Sequence, residues 1–421
     1  MSAKGSGFCR DVKPKWRKLF VIPTAWGSHP SMTHRLRRSV LLLSLLVSIN
    51  SPAAWKKHVI QPGTDTRGMV NDVNTSDFDR DGKIDAICSH SGAVWLYPTL
   101  DAGKRLKVYE FPKELSGRKL RAGCIHATLM DVDDDGDQDY IGSNNLVFWL
   151  ECPKRPLENK WTLRIVDDKI LGTHCLITAD VDRDGKLDLI ANSGRASGTP
   201  FANSLAWLRV PKKPLSAQEW IRHIFADGDA PGASHYSGFG DLNGDGRGDI
   251  AFGAKGGEKF PGGEWFAWWE QPKNPTEFWK KHMLSSKEPG ASNIIPVDLN
   301  NDGAMDLFAS RGHGKGTLWF KGPSFELIDV DPDIIGPHSL AIGDIDGDGD
   351  PDAATCGYLA TGTSAWYEND GKGQFKKHVI GTGQGSYDIR LVDLDDDGDL
   401  DVLLAGHFNQ NVVWYENPGK Q

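Results

Sequence analysis

From residue 55 onward the apolar positions fall in short runs, and the polar positions between them repeat. Runs such as DLIAN and DVLLAG are each followed by an aromatic-rich one: VWLYP, VFWLECP, LAWLRVP, FAWWEQP, TLWFKGP, SAWYEN and VVWYEN. Runs of about four to eight residues bounded by Gly, Pro, Asn and Lys read as β-strands. A further run opened by an aromatic follows in most units: WTLRIV at 161, WIRHIF at 220, WKKHML at 279, FELIDV at 325 and FKKHVI at 375, with KVYEF at 107 as a weaker copy.

Ahead of every aromatic run stands the same polar pattern, DxDxDGxxD with Asn allowed third, opening at Asp77, Asp131, Asp180, Asp241, Asp298, Asp344 and Asp393. The starts lie 54, 49, 61, 57, 46 and 49 residues apart, the spacing of a small unit that buries its faces only against its neighbours. Four strands in each of seven units predict an all-β, seven-bladed propeller. The last unit ends at Asn417 without a fourth run, and Trp55, Lys56, Lys57, His58, Val59 and Ile60 match FKKHVI closely. The N-terminal strand is therefore expected to complete the final blade and remove two open sheet edges.

Oxygen ligands at loop positions 1, 3 and 5, a Gly at 6, a backbone carbonyl at 7 and a carboxylate at 9 suit one hard cation of calcium size. The first loop offers Asp77, Asp79, Asp81, Lys83 and Asp85, the second Asp131, Asp133, Asp135, Asp137 and Asp139, and the third Asp180, Asp182, Asp184, Lys186 and Asp188. Asp241, Asn243, Asp245, Arg247 and Asp249 form the fourth set, and Asp298, Asn300, Asp302, Ala304 and Asp306 the fifth. The last two are Asp344, Asp346, Asp348, Asp350 and Asp352, then Asp393, Asp395, Asp397, Asp399 and Asp401. Up to seven structural calcium ions, one between strands A and B of every blade, are expected. An EF-hand would close with Glu at position 12, where this chain has Cys88, Gly142, Ala191, Phe252, Ala309, Thr355 and Leu404. Magnesium fits less well, because it demands a tight octahedron with retained waters.

On these loops and strands the chain resembles the FG-GAP or VCBS repeat family from residue 55 to 421. The resemblance implies a propeller with calcium loops and leaves the activity open.

Residues 1–53 differ in kind. Arg35, Arg37 and Arg38 precede an apolar run from Val40 to Ile49 and the small-residue stretch Ser51, Pro52, Ala53, which reads as a secretory signal with Met32 as its start and an upstream extension. An uncleaved anchor is the alternative. Residues 54–421 would then be the mature propeller, secreted or periplasmic, with no transmembrane segment. Loss of nine Lys or Arg and one Asp moves the formal charge from −9 to −17, and seven bound dications would bring it to −3. That balance argues against nucleic acid as a partner. Five cysteines at irregular spacing remain and make a poor disulfide framework, with one bridge left open.

With strands lettered A to D from the axis outward, the face opposite the calcium loops collects the starts of strands A and the B–C loops. His126, His174, His235 and His338 stand at strand A starts, beside Tyr236 and Tyr387. The B–C loops add His90, Arg195, Lys255, Arg311, His313, Tyr358 and His407, with glycine-rich insertions near 192–203 and 254–264. A polar rim at the propeller centre is the expected ligand site. A His before the inner strand also serves blade packing in WD-type propellers, and that reading stays open. His58, His223, His282 and His378 lie on outer strands and read as structural.

Two functions follow. The first is a secreted module that binds a glycan or an extracellular protein. The second rests on LAWLRVP, EWIRHIF and ASHYSGFGD, which are similar to the propeller domain of fungal aldos-2-ulose dehydratase, a metal-dependent sugar lyase. That resemblance implies that His126, His174, His235 and His338 hold a second divalent metal or act as acid and base, with Tyr236 or Tyr387 as proton donor. The cupin domains of that enzyme have no counterpart in this chain.

Overall fold

The protein is described here by a computed structural model covering residues 54–63, 68–233 and 235–419. The signal segment expected over residues 1–53, with its start at Met32, lies outside the described residues. Seven four-stranded antiparallel sheets form the blades, and a small hairpin, Glu114–Leu115 with Arg118–Lys119, stands apart.

Strand A of blades 1 to 7 is Asn74–Ser76, His126–Met130, Leu176–Ala179, Ser237–Gly240, Ile294–Val297, Pro337–Gly343 and Asp388–Val392. Strand B in each case begins at position 9 of the acidic loop: Asp85–His90, Asp139–Ser143, Asp188–Ser193, Asp249–Ala254, Asp306–Ser310, Asp352–Gly357 and Asp401–Gly406. These strands are buried on both faces throughout, which is why they read as continuous apolar runs rather than as alternating ones. In blade 7, Lys56–Gln61 pairs antiparallel with Asn411–Glu416, with Lys57 opposite Tyr415 and His58 opposite Trp414.

The core is divided among the blade interfaces. Seven apolar clusters occupy the seven junctions, each drawing side chains from two neighbouring blades: Ile141, Val147 and Trp149 of blade 2 meet Leu176, Leu189 and Leu208 of blade 3. Ile60, Leu403 and Trp414 of blade 7 meet Ala86, Cys88 and Tyr97 of blade 1. Burying one such large side chain contributes about 1.5–3 kcal/mol, so a blade separated from its neighbours would lose most of its stabilisation.

On the outer strands the recurrent Trp and His are cross-strand partners. His58 stacks on Trp414, His282 on Trp268 and His378 on Trp366 with ring centroids 4.1, 4.2 and 4.5 Å apart. Their Nε2 atoms reach Glu416, Glu270 and Glu368 at 2.7, 2.7 and 2.5 Å. His223 stacks on Trp207 in the same way. Cross-strand aromatic pairs of this kind fix register. Cys88, Cys124, Cys152, Cys175 and Cys356 are buried free thiols. Among the described residues no helix is long and apolar enough to cross a membrane.

Candidate functional site

The acidic loops share one backbone design. The glycine at position 6 has φ between 80° and 100° in all seven loops, and position 4 is left-handed too, held there by Arg80, Asp134, Arg183, Asn301 and Asp396 in five of them. Only glycine enters that region freely. The sharp turn points backbone N–H groups inward: in the first loop Asp81 and Gly82 donate to the two oxygens of Asp77 at 3.0 and 2.9 Å, and Lys83 donates to Asp81 at 2.9 Å.

Position 9 anchors the loop from below. Asp85 accepts one bond from the Phe78 N–H at 3.1 Å and another from the Thr99 N–H, just beyond strand Ala93–Tyr97, at 2.8 Å. Asp139, Asp249, Asp306, Asp352 and Asp401 repeat both bonds. Carboxylate oxygens of positions 1, 3 and 9 lie within 4.8 Å of one another in the first three loops (Asp77, Asp79 and Asp85; Asp131, Asp133 and Asp139; Asp180, Asp182 and Asp188), as do those of Asp344, Asp346 and Asp348 in the sixth. Burial, together with the neighbouring carboxylates, lifts Asp85 to about 6, Asp139 to about 8 and Asp188 to about 7. Backbone N–H groups hold most of these anions in place, with Arg209 also reaching Asp182 at 3.0 Å in the third loop, and a set of converging carboxylates of this kind fits a bound dication.

At the opposite face the side chains converge on the axis. His313 Nε2 lies 2.8 Å from His235 Nε2, and His235, His313 and His338 bring ring nitrogens within 4.8 Å of one another. His235 and His338 come from strand A starts and His313 from the B–C loop of blade 5. Around them run further rings in contact: His174 beside His235 and Phe260, Tyr358 beside His313 and His338, and Tyr387 stacked between His338 at 4.1 Å and His407 at 3.6 Å. His407 Nδ1 also lies 2.5 Å from Asn71 Oδ1.

Hydrogen bonds fix several tautomers. A backbone carbonyl can only accept, so His338 Nδ1, 2.9 Å from Tyr387 O, and His174 Nδ1, 2.8 Å from Gly172 O, carry protons and leave their Nε2 lone pairs free. His126 is the reverse case. Its Nδ1 accepts the Leu176 N–H at 3.2 Å, so the proton sits on Nε2, which is buried without a partner. His126 therefore stands outside the three-histidine group, although its ring meets Tyr236 at 5.0 Å. Burial lowers His174 to about 4, His338 to about 3 and His407 to about 4, and burial with the neighbouring imidazoles lowers His313 to about 2. Burial foremost, with the neighbouring positive and imidazole groups after it, also lowers His126 and His235 well below the usual imidazole value. All six imidazoles are neutral at pH 7 and serve as bases, donors or ligands rather than as cations.

Other rim residues are engaged elsewhere. Tyr236 donates its hydroxyl to the Tyr387 carbonyl at 2.6 Å, which commits that proton. His90 turns into blade 1, where its Nε2 meets the Tyr97 hydroxyl at 2.8 Å. Arg195 reaches Asn145, and Arg311 pairs with Glu288 at 2.6 Å and Asp329 at 3.3 Å. Lys255 lies over the Phe260 ring at 4.5 Å. A pocket of about 730 Å³ opens beside the histidines, lined by Lys255, Glu264, Lys287, Arg311, His313 and Lys315 among others. The sequence reading missed Phe260 and Phe408, both on this rim. Their signal was position alone: each stands in a B–C loop, one of them a glycine-rich insertion.

Fold and site together define a seven-bladed β-propeller with an acidic turn in every blade and a histidine-rich opposite face. The family described as FG-GAP-like repeat matches residues 241–309, 298–355 and 356–404. No curated protein matches the chain. Among solved structures it is similar to BBS1N, crystallised in complex with ARL6DN, at 9% identity over 87% of this chain and 98% of that one, with a TM-score of 0.53. YCF48 from Cyanidioschyzon merolae gives 15% identity, 87% and 99% coverage and a TM-score of 0.49. An Agrocybe aegerita lectin that recognises non-reducing terminal N-acetylglucosamine gives 17%, 86% of each chain and 0.48. At these identities the likeness concerns the fold.

Proposed function

We propose that the protein is a secreted, calcium-loaded propeller that recognises a glycan or an extracellular protein on the face opposite its calcium loops. One observation carries this reading: a pocket of about 730 Å³ on that face combines Lys255, Lys287, Arg311 and Lys315 with His313 and adjoins the rings of Phe260 and Tyr358. Aromatic faces beside cationic side chains suit sugars that carry carboxylates. The calcium-loop geometry and the pairing of Lys56–Gln61 with the last blade support a rigid, closed ring beneath the site, and the leader-like residues 1–53 support export. The test is a panel of neutral and uronate glycans. Binding of acidic members that weakens in Lys255→Ala supports the reading, and no binding to any glycan or extracellular protein offered would remove it.

A second reading, a metal-dependent carbohydrate lyase or dehydratase, is favoured by the neutral histidines. A base takes the carbon-bound proton beside a carboxylate or carbonyl, the carbon–carbon double bond forms, and the leaving oxygen departs with a proton. The Nε2 lone pair of His174 supplies such a base. Growth of unsaturated product absorbance on a uronate substrate tests it.

A further inference from the structure

We infer that Arg121 and Arg195 form a second anion-binding subsite on the rim, so that the ligand is an acidic oligosaccharide carrying carboxylates on more than one sugar unit. The inference rests on the glycan reading above and deepens it: the pocket beside Lys255 takes one carboxylate, and the arginine pair takes another further along the same chain.

Two neighbouring asparagines set the pair in place. Asn144, buried in the B–C turn of blade 2, accepts the Arg121 N–H at 2.7 Å and donates to the Arg121 carbonyl at 3.1 Å. Asn145, left-handed with φ 57°, donates to the Lys119 carbonyl at 2.7 Å and accepts from Arg195 Nη2 at 3.2 Å. One turn of blade 2 thus fixes the backbone that carries the first arginine and the guanidinium of the second, which belongs to blade 3. Both arginines are exposed. The Asn145 bond uses one of the five guanidinium donors and neutralises no charge.

The charge balance of the rim is the second observation. In a chain of formal charge −9, no carboxylate among the described residues pairs with Arg121, Arg195 or Lys255. Arg311 and Lys315, on the same rim, are matched by Glu288 at 2.6 Å and Asp333 at 2.7 Å. Burial lowers the His174 pKa to about 4 against the pull of the Gly172 carbonyl, and the charges of Arg121, Lys255 and Arg195 lower it further, so all three cations act on one ring. Uncompensated like charges repel one another, and a bound anion relieves that cost.

The two subsites are joined by contacts. The Arg195 stem packs on Gly172, where a Cβ would stand 2.9 Å from its Cγ, and the Gly172 carbonyl holds His174 Nδ1 at 2.8 Å. His174 borders Phe260 with ring centroids 6.0 Å apart, and Lys255 lies over the Phe260 ring at 4.5 Å. A planar guanidinium meets a carboxylate with two parallel hydrogen bonds, and an aromatic face between two cationic ends suits the apolar side of a sugar ring.

The experiment titrates the full chain, with calcium in excess, by isothermal calorimetry against uronate monomers and short oligomers of the galacturonate, mannuronate and glucuronate series, each beside its neutral methyl ester. The oligomers of one series are expected to bind on the order of tenfold tighter than their monomer, or better, and the esters should lose that gain. Arg121→Gln and Arg195→Gln should each remove most of it. Lys212→Gln, the same change of charge at an exposed residue beside the second and third acidic loops, should keep it. Melting curves of the variants check the fold. Equal affinity for monomer and oligomer, or a gain that survives both arginine changes, overturns the subsite and leaves the glycan reading standing. Binding of no acid at any length removes the subsite and the glycan reading together.

Discussion

The Tyr236 hydroxyl donates to the Tyr387 carbonyl at 2.6 Å across 151 residues of sequence, tying blade 4 to blade 7. The same carbonyl accepts from His338 Nδ1 of blade 6 at 2.9 Å. One backbone oxygen thereby orients two rim side chains at once. Tyr236→Phe removes one of its two donors and is expected to cost about 1 kcal/mol. Urea unfolding should show a lowered midpoint at unchanged m-value, and an unaltered midpoint would mean that the bond carries no weight in solution.

Calcium removal should act on the whole ring. Each ion bound only by the folded state adds about 2.7 kcal/mol at a hundredfold excess over its dissociation constant, and seven loops add several such increments. Excess chelator is expected to lower Tm by on the order of 10 °C or more. Asp344, Asp346 and Asp348 all changed to Ala should lose one equivalent of calcium and spare ligand binding at the far face. A melting curve indifferent to chelator would refute calcium loading.

Deleting residues 55–60 should be severe. Ile60 is 1% exposed within the blade 7 to blade 1 cluster, and the strand covers the edge of Asn411–Glu416. Its loss exposes a row of unpaired backbone groups together with an apolar junction, so aggregation or a large drop in Tm is expected. Deletion of residues 1–53 is the control that should leave stability unchanged.

Acid should destabilise the propeller through His90. Burial lowers its pKa from 6.5 to about 4, so between those values the unfolded chain binds a proton that the folded chain refuses. Stability from this group is fully present above pH 6.5 and falls as pH drops towards about 4. The slope is one proton, about 1.4 kcal/mol per pH unit. His90→Gln should flatten the pH dependence of Tm in that window by about one proton, and an unchanged slope would show that His90 titrates normally.

Blade number, strands per blade and the acidic turns were legible because each is local and repeated: DxDxDGxxD needs its residues at fixed offsets, and strand B starts at position 9 seven times. The outer Trp and His were legible as a recurrent pattern, and the structure adds that they stack as cross-strand pairs. Rim membership was partly legible, since counting back from each loop finds the start of every strand A.

The sequence by itself determined the architecture, because seven copies of one pattern over-specify the same backbone and each copy requires a neighbour to bury its faces. Only the tertiary structure decided which rim residues act together. His235 and His313 are 78 residues apart and meet at 2.8 Å, while His126, which stands one residue nearer its acidic loop than His235 does, accepts the Leu176 N–H and presents a proton instead of a lone pair. Arg311 and Tyr236, free in the sequence, are spoken for by Glu288 and by the Tyr387 carbonyl. Periodicity places a side chain on a face, but its tautomer, its partners and its reach are set by groups that the fold brings from other blades.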